Sequence, residues 1–297
     1  MADGSDGASG AAGARRDVGL VLHPRRDSAE AVGAVLAWAR GSGRCVLATP
    51  DEAQRLPEGV EVVGAEELAA RSGLLVSLGG DGTMLRALRG AYGHGTPVLG
   101  VNLGKLGFLA EVDVPELADA LAVVERGEHE VETRVAVRVR VGGTVRTAFN
   151  DVALVRHPGE GSAAVSVVVD DEPFVRYAAD ALVVATPTGS TAYGFSAGGP
   201  VVSPRAQGLV VVPAAAHSSF NRALFLSCSE RLCLEVLDRS GPLAVEVDGN
   251  VAGRLGPGDR LPVEVDLHGG SVVRVGRRSF YARARRKLRV TDSAELG

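Results

Sequence analysis

Apolar positions in the first part of the chain fall in short runs separated by longer amphipathic stretches. Val18-Gly19-Leu20-Val21-Leu22, Arg44 to Ala48, Leu74 to Leu78 and Thr96 to Val101 read as strands. Ala29 to Arg40 reads as an amphipathic helix. Met84 to Leu88 opens a second helical pattern that Gly90 is expected to end, and Val114 to Gly127 a third. This succession predicts a parallel sheet with helices on both faces. From Glu130 onward the period changes to two. Glu130 to Val141, Val145 to Val155, Ala164 to Val169, Phe174 to Tyr177 and Ala181 to Ala185 read as strands. Leu209 to Val212, Leu232 to Leu237, Ala244 to Val247, Arg260 to Val265 and Val272 to Val275 continue the series. Val141-Gly142-Gly143-Thr144 and Asp170-Asp171-Glu172-Pro173 are turns between them. Many short strands with Gly, Pro and Asp turns predict a mostly β, sandwich-like second domain.

The expected division is a tail at 1–16, an α/β domain at 17–128, a β-sandwich domain at 129–276 and a closing segment at 277–297. The closing segment is expected to pack back on the first domain. The tail is almost entirely Gly, Ala, Ser and Asp up to residue 14, so disorder is expected there. With no long linker between them, the two domains should pack closely around a cleft.

The chemistry concentrates where the strand Leu74 to Leu78 runs into Gly79-Gly80-Asp81-Gly82-Thr83. Strand, glycine loop and helix N-terminus together suit a phosphate, because backbone N–H groups and the helix dipole both attract an anion. Asp81 opposes that attraction and needs another task. Taking a proton from an attacking hydroxyl and holding a divalent cation are the two candidates. A helix cap would explain the Asp but not the glycines around it. The loop lacks Gly-Lys-Ser/Thr, so it is no Walker loop, and it lacks the third glycine of the dinucleotide fingerprint. A second constellation, Thr186 to Pro200, is dense in hydroxyls and small residues around Tyr193. It could bond a sugar and phosphates while Tyr193 lies against a ring.

These residues resemble the NAD kinase family. The family pattern is Gly-Gly-Asp-Gly-Thr, then Asn-Glu, then Thr-Pro-Thr-Gly-Ser-Thr-Ala-Tyr. Gly79 to Thr83, Asn150-Asp151 and Thr186 to Tyr193 stand here in that order. Gly100 to Leu109, and Ser279-Phe280-Tyr281 with Arg286-Lys287-Leu288, are similar to other family segments. The resemblance spans about residues 17 to 290 and implies a Rossmann-like, phosphofructokinase-like first domain. It implies phosphoryl transfer from ATP or polyphosphate to the 2′-hydroxyl of the adenosine ribose of NAD, giving NADP. Asp81 would be the catalytic carboxylate, beside Gly82, with Gly79, Gly80 and Thr83 completing the phosphate loop and Arg86 near phosphate. Asn150 and Asp151 would hold a ribose diol, Asp180 would face the dinucleotide, and Thr191, Ala192, Tyr193 and Ser196 would line its pocket. Asp151 departs from the family's Glu by one methylene, which raises the alternative of another nucleoside or sugar acceptor. A non-catalytic dinucleotide-binding regulator is the alternative from a different class, and the retained Asp81 argues against it. Phe108 reads equally as a core anchor or an adenine platform. Asp248 reads equally as a turn residue or a ligand contact.

Composition changes this picture little. A net charge of −4 argues against a nucleic-acid or anionic-membrane surface. Cys45, Cys228 and Cys233 fit neither a disulfide framework nor a zinc spacing, which suits a reducing cytoplasm. No apolar run reaches membrane-spanning length. Few cationic residues lie near Asp81 in sequence, so a divalent cation, Mg²⁺ by ordinary phosphate chemistry, is expected to neutralise the donor. No metal ligand is assigned. By resemblance the chain is expected to form a homodimer or homotetramer.

Overall fold

The computed structural model describes residues 17–104, 107–217, 219–276 and 279–290. The predicted tail and Lys105 lie outside them. The chain begins with β1 (Asp17–Leu22), α1 (Ala29–Gly41), β2 (Val46–Ala48), α2 (Pro50–Ala53), β3 (Val60–Val62) and α3 (Ala65–Arg71). It continues through β4 (Ser72–Gly79), α4 (Asp81–Ala91), β5 (Val98–Asn102), β6 (Val112–Asp113) and α5 (Leu117–Glu125). Five strands alternate with turns next: β7 (Glu130–Val141), β8 (Thr144–Ala148), β9 (Asp151–Arg156), β10 (Ala163–Val169) and β11 (Glu172–Ala179). β12 (Ala181–Ala185) leads to the short α6 (Tyr193–Ser196), then β13 (Gly208–Ala214), β14 (Leu224–Ser227) and β15 (Leu232–Val236). β16 (Leu243–Val247), β17 (Asn250–Leu255), β18 (Arg260–Arg274) and α7 (Phe280–Leu288) complete the fold.

β3, β2, β1, β4 and β5 form the expected parallel sheet, in that spatial order. Alternating residues of one strand serve its two faces. Leu20 and Leu22 of β1 pack with Val35 of α1 and Leu121 of α5, while Val21 packs with Leu68 of α3 and Met84 of α4. Around β1, β4 and β5 both faces of the sheet are therefore dry, which is why these strands read as continuous apolar runs. In the second half, a six-stranded antiparallel sheet (β14-β13-β12-β9-β16-β17) faces β7, β10, β15 and β18. Leu154, Val184 and Val245 of the first layer meet Val137, Val167 and Leu234 of the second in one core. This is the predicted mostly β, two-layer packing.

β18 does more than the sequence suggested. Arg260 to Val265 and Val272 to Val275 looked like two strands, yet they are one fifteen-residue strand with a register shift between Asp266 and Gly270. The polar bulge at His268-Gly269-Gly270 interrupts the alternation without ending the strand. β18 pairs antiparallel with β15 and parallel with β5, so one twelve-stranded sheet runs through both halves.

Two other expectations change. Gly90 does not end α4, which runs on to Ala91; burial of Leu88 and Ala91 on its inner face outweighs glycine's weak helix preference. The left-handed residue lies further on, at Gly93 (φ +81°). Val145 to Val155 is not one strand. β8 pairs with β7 in the large sheet and β9 joins the other sheet, with Phe149-Asn150 as the crossing point.

Candidate active site

From β1 the chain moves outward to β2 and β3, then returns to place β4 and β5 on the other side of β1. At such a reversal the loops leaving adjacent strand ends diverge and leave a crevice. Here those loops are His23–Arg26 after β1 and Gly79-Gly80 after β4. They open a cleft of about 660 Å³ lined by His23, Pro24, Arg26, Gly80, Asp81, Gly82, Thr83, Arg86, Arg89, Gly107, Asn250 and Lys287.

Asp81 is the first residue of α4, after Gly80 as N-cap. Its Oδ2 accepts the Phe108 N–H and its Oδ1 the Leu109 N–H, both at 3.0 Å. The Lys287 ammonium reaches Oδ2 at 3.0 Å. Gly107 lies so close to the carboxylate that a Cβ there would overlap Oδ1, so this loop needs glycine to wrap the acid. Asp81 thus has a fixed orientation while remaining partly open to the cleft. Thr83 is buried against Gly79, and its Oγ1 has no hydrogen-bond partner among the described residues.

The expectation of few cations near Asp81 fails. His23, Arg26, Arg86, Arg89 and Lys287 converge from three separate segments, the loop after β1, α4 and α7. Burial and the guanidiniums of Arg26, Arg25, Arg55 and Arg86 hold the His23 imidazole below its usual range. Its Nδ1 accepts the N–H groups of Arg25 and Arg26 at 3.1 Å, which shapes the loop after β1. Arg26 Nη1 has no partner among the described residues. Arg86 donates to the Leu22 carbonyl and, at 2.9 Å, to Glu52, a buried carboxylate whose pKa burial pushes up. Arg86 is therefore aimed by Glu52, a residue that sequence reading did not single out.

The other expected site residues form a neighbouring patch; among the described residues they do not line the Asp81 cleft. Asp151 starts β9 and is buried. Burial first, then the Asp248 carboxylate, push it up to about 7, with the Tyr193 N–H opposing and Glu246 adding. Tyr193 packs over Ala153, Val183 and Ala185 on the outer face of the six-stranded sheet. Asp180 pairs with Arg156 at 2.5 Å, which holds its carboxyl below the usual range. The hydroxyl-rich segment divides in two. Thr186 spends its hydroxyl on the Phe149 carbonyl at 2.6 Å, and Ser190 on Pro187 at 2.8 Å. Thr191, Ala192, Tyr193 and Ser196 are at least partly exposed.

Asp248 joins the two patches. It takes φ +47° at the tip of the β16–β17 hairpin, and its side chain is fully buried. Oδ1 accepts the N–H groups of Phe149 (3.1 Å), Asn150 (2.7 Å) and Asp151 (3.2 Å), and Oδ2 pairs with Arg89 of α4 at 2.6 Å. The crossing point between β8 and β9 is thus satisfied by a carboxylate in place of a sheet ladder. Phe108 is 8 % exposed, with the Lys287 ammonium 4.2 Å from its ring centroid. As it stands it is an anchor, its face covered. Arg26, Glu52, Arg89 and Lys287 are site residues that sequence reading does not single out; the last three have partners far away in sequence, 206 residues for Lys287 and Asp81.

The family model described as ATP-NAD kinase N-terminal domain matches residues 41–129, and that described as ATP-NAD kinase C-terminal domain matches residues 149–274. The chain is 37 % identical to NAD kinase 1 of Streptomyces avermitilis, over 93 % of this chain and 88 % of the relative. It is 40 % identical to NAD kinase 2 of Streptomyces coelicolor, over 84 % and 86 %. Among solved structures it is similar to yeast NADH kinase complexed with NADH, with a TM-score of 0.81 and 25 % identity over 95 % of this chain and 90 % of that one. An NAD kinase from Archaeoglobus fulgidus in complex with ATP shares the fold at a TM-score of 0.72, with 23 % identity over 92 % and 98 %. A carboxylate in a cationic crevice at the head of α4 stands here on a sequence matched along nearly its whole length: the chain belongs to the NAD kinase family.

Proposed function

We propose that this chain is an NAD kinase that transfers the γ-phosphoryl group of ATP to the 2′-hydroxyl of the adenosine ribose of NAD. The observation that carries this reading is Asp81, a fixed, accessible carboxylate at a helix N-terminus inside a cleft of four cationic side chains. A ribose hydroxyl is a weak nucleophile at neutral pH. Asp81 accepts its proton as the 2′-oxygen bonds to the γ-phosphorus and the bond to the β–γ bridging oxygen breaks, releasing ADP. Arg26, Arg86, Arg89 and the N-terminus of α4 hold the donor phosphates. The Asn150-Asp151 turn binds the ribose diol, and Thr191 to Ser196 contact the rest of the dinucleotide. Asp180, held by Arg156, faces that pocket.

A divalent cation fits this donor set. No group of three or more His, Cys, Asp or Glu occurs among the described residues, but Mg²⁺ at phosphates needs only one or two carboxylates beside phosphate oxygens and water. The ion would be held mainly by the donor's phosphate oxygens and water, with Asp81 the nearby carboxylate, and would neutralise charge developing on the phosphates. The exposed Phe225 of edge strand β14 and Val251 of edge strand β17 suit association of copies of this chain into a homodimer or homotetramer. The test of the activity is NADP formation from NAD, ATP and Mg²⁺ by the purified protein, with polyphosphate as a parallel donor. Protein inert toward NAD but active on another nucleoside or sugar would refute the assignment.

A further inference from the structure

We propose that Lys287, from the C-terminal helix, is a catalytic residue: its ammonium leaves Asp81 for the transferring phosphoryl group when the donor binds. This rests on the kinase reading above. The chain holds 30 Arg and only two Lys, Lys105 and Lys287. A composition that meets almost every need for positive charge with Arg has kept an ammonium 3.0 Å from the carboxylate at the head of α4.

The helix is built to deliver it. Phe280, Arg283, Ala284 and Lys287 fall at i, i+3, i+4 and i+7 and so share one face of α7. Ser279 caps the start through the Ala282 N–H at 3.2 Å. Phe280 lies against Phe108, with ring centroids 6.5 Å apart, and the buried Arg283 approaches Glu111 at 3.6 Å. Those contacts seat the helix, and the last residue of the stripe enters the cleft. Placement of a base near a helix C-terminus suits the dipole. The dipole does not explain an ammonium that lies over the Phe108 ring and bonds Asp81. Stability does not explain it either. The two side chains are 34 % and 29 % exposed, and such pairs contribute roughly 0–1 kcal/mol.

Each oxygen of Asp81 already accepts a loop N–H, and Oδ2 the ammonium as well, so release of the ammonium opens Oδ2 to a ribose hydroxyl. An ammonium is a compact charge on a flexible stem, so a short swing moves it to a phosphate oxygen without moving α7. In that place it stabilises the charge on the γ-phosphoryl oxygens as the bond to the β–γ bridging oxygen breaks. Asp81 is freed in the same motion to take the ribose proton. Ground-state cover and transition-state cation are thus one group.

The test compares wild type with Lys287→Met, Lys287→Arg and Lys287→Cys, the last before and after aminoethylation with 2-bromoethylamine. Loss of one preorganised cation should lower kcat of Lys287→Met by about 10²-fold, leave the KM for NAD within about twofold, and leave the melting temperature near wild type. Aminoethylation of Lys287→Cys rebuilds an ammonium of nearly the same reach, and should restore at least about tenfold of kcat while the same treatment does nothing for Lys287→Met. Lys287→Arg should retain part of the activity. Wild-type or higher kcat in Lys287→Met would show a mere cover over Asp81 and overturn the inference. A raised KM for NAD with unchanged kcat and no rescue would also overturn it, as a helix anchor. Wild-type protein inert toward NAD would instead bring down the kinase reading on which the proposal stands.

Discussion

Asp151 sits where the family pattern has Glu, and its surroundings decide what that costs. Its N–H is bonded to the Asp248 carboxylate and its C=O to the Asp248 N–H at 2.9 Å, while Thr186 binds the Asn150 carbonyl at 2.8 Å. The backbone cannot slide forward to extend a short acid. Asp151→Glu should therefore lower the KM for NAD by several-fold or leave it unaltered, since one good hydrogen bond to a charged group contributes roughly 1.5–3 kcal/mol. A sharp rise in KM for NAD would show that the native Asp is fitted to another acceptor. The same residue sets a pH dependence. Its carboxyl keeps a proton up to about 7 in the folded state, against a reference value of 3.8. Between those values the folded state binds more protons than the unfolded state, so stability falls as pH rises and the loss is complete above about 7. Asp151→Asn removes that loss. Its melting temperature relative to wild type should rise more at pH 8 than at pH 4, and an equal change at both would contradict the assignment.

At the scale of elements, the Asp248 turn and α4 act as one piece. From the sequence Asp248 reads evenly as a turn residue or a ligand contact; in the structure its buried side chain holds the turn, through three N–H groups, and Arg89. Removing its charge leaves Arg89 facing an amide in place of a carboxylate and gives the Phe149 to Asp151 turn a single, neutral acceptor oxygen. Asp248→Asn should destabilise the fold by at least about 2 kcal/mol in denaturant unfolding and raise the KM for NAD. A neutral effect would show that the turn is held by its flanking strands alone. The strands β1, β4, β5, β10 and β12 were legible because each is apolar on the faces it buries. The hydroxyl segment and the glycine loop were legible as motifs. What could not be read was long-range satisfaction of polar groups. The break between β8 and β9 depends on an acid 97 residues beyond Asp151, and β18 hides a polar bulge in one strand. Glu52 and Arg89 carry no local pattern, and Lys287 lies in a family-like segment that does not reveal its task, because their partners are distant in the chain.

Across the whole molecule, charge is segregated although the net value is only −4. The cleft at the head of α4 gathers Arg26, Arg86, Arg89 and Lys287, while Asp151, Asp180 and Glu246 surround Tyr193, on the side proposed to take the dinucleotide. Added salt screens exposed charges beyond roughly 8 Å at physiological ionic strength. The KM for ATP should therefore rise with NaCl more steeply than the KM for NAD, measured in the same buffer at constant Mg²⁺. Equal slopes would mean that the cationic cleft does not receive the donor. The proposed proton transfer from the ribose to the carboxylate at the head of α4 is tested most directly by Asp81→Asn, because the amide keeps the shape and loses the basicity. With kcat from NADP formation and the NAD dissociation constant from calorimetry, kcat should fall by about 10²-fold or more with binding nearly unchanged. Near-normal kcat in Asp81→Asn would contradict it.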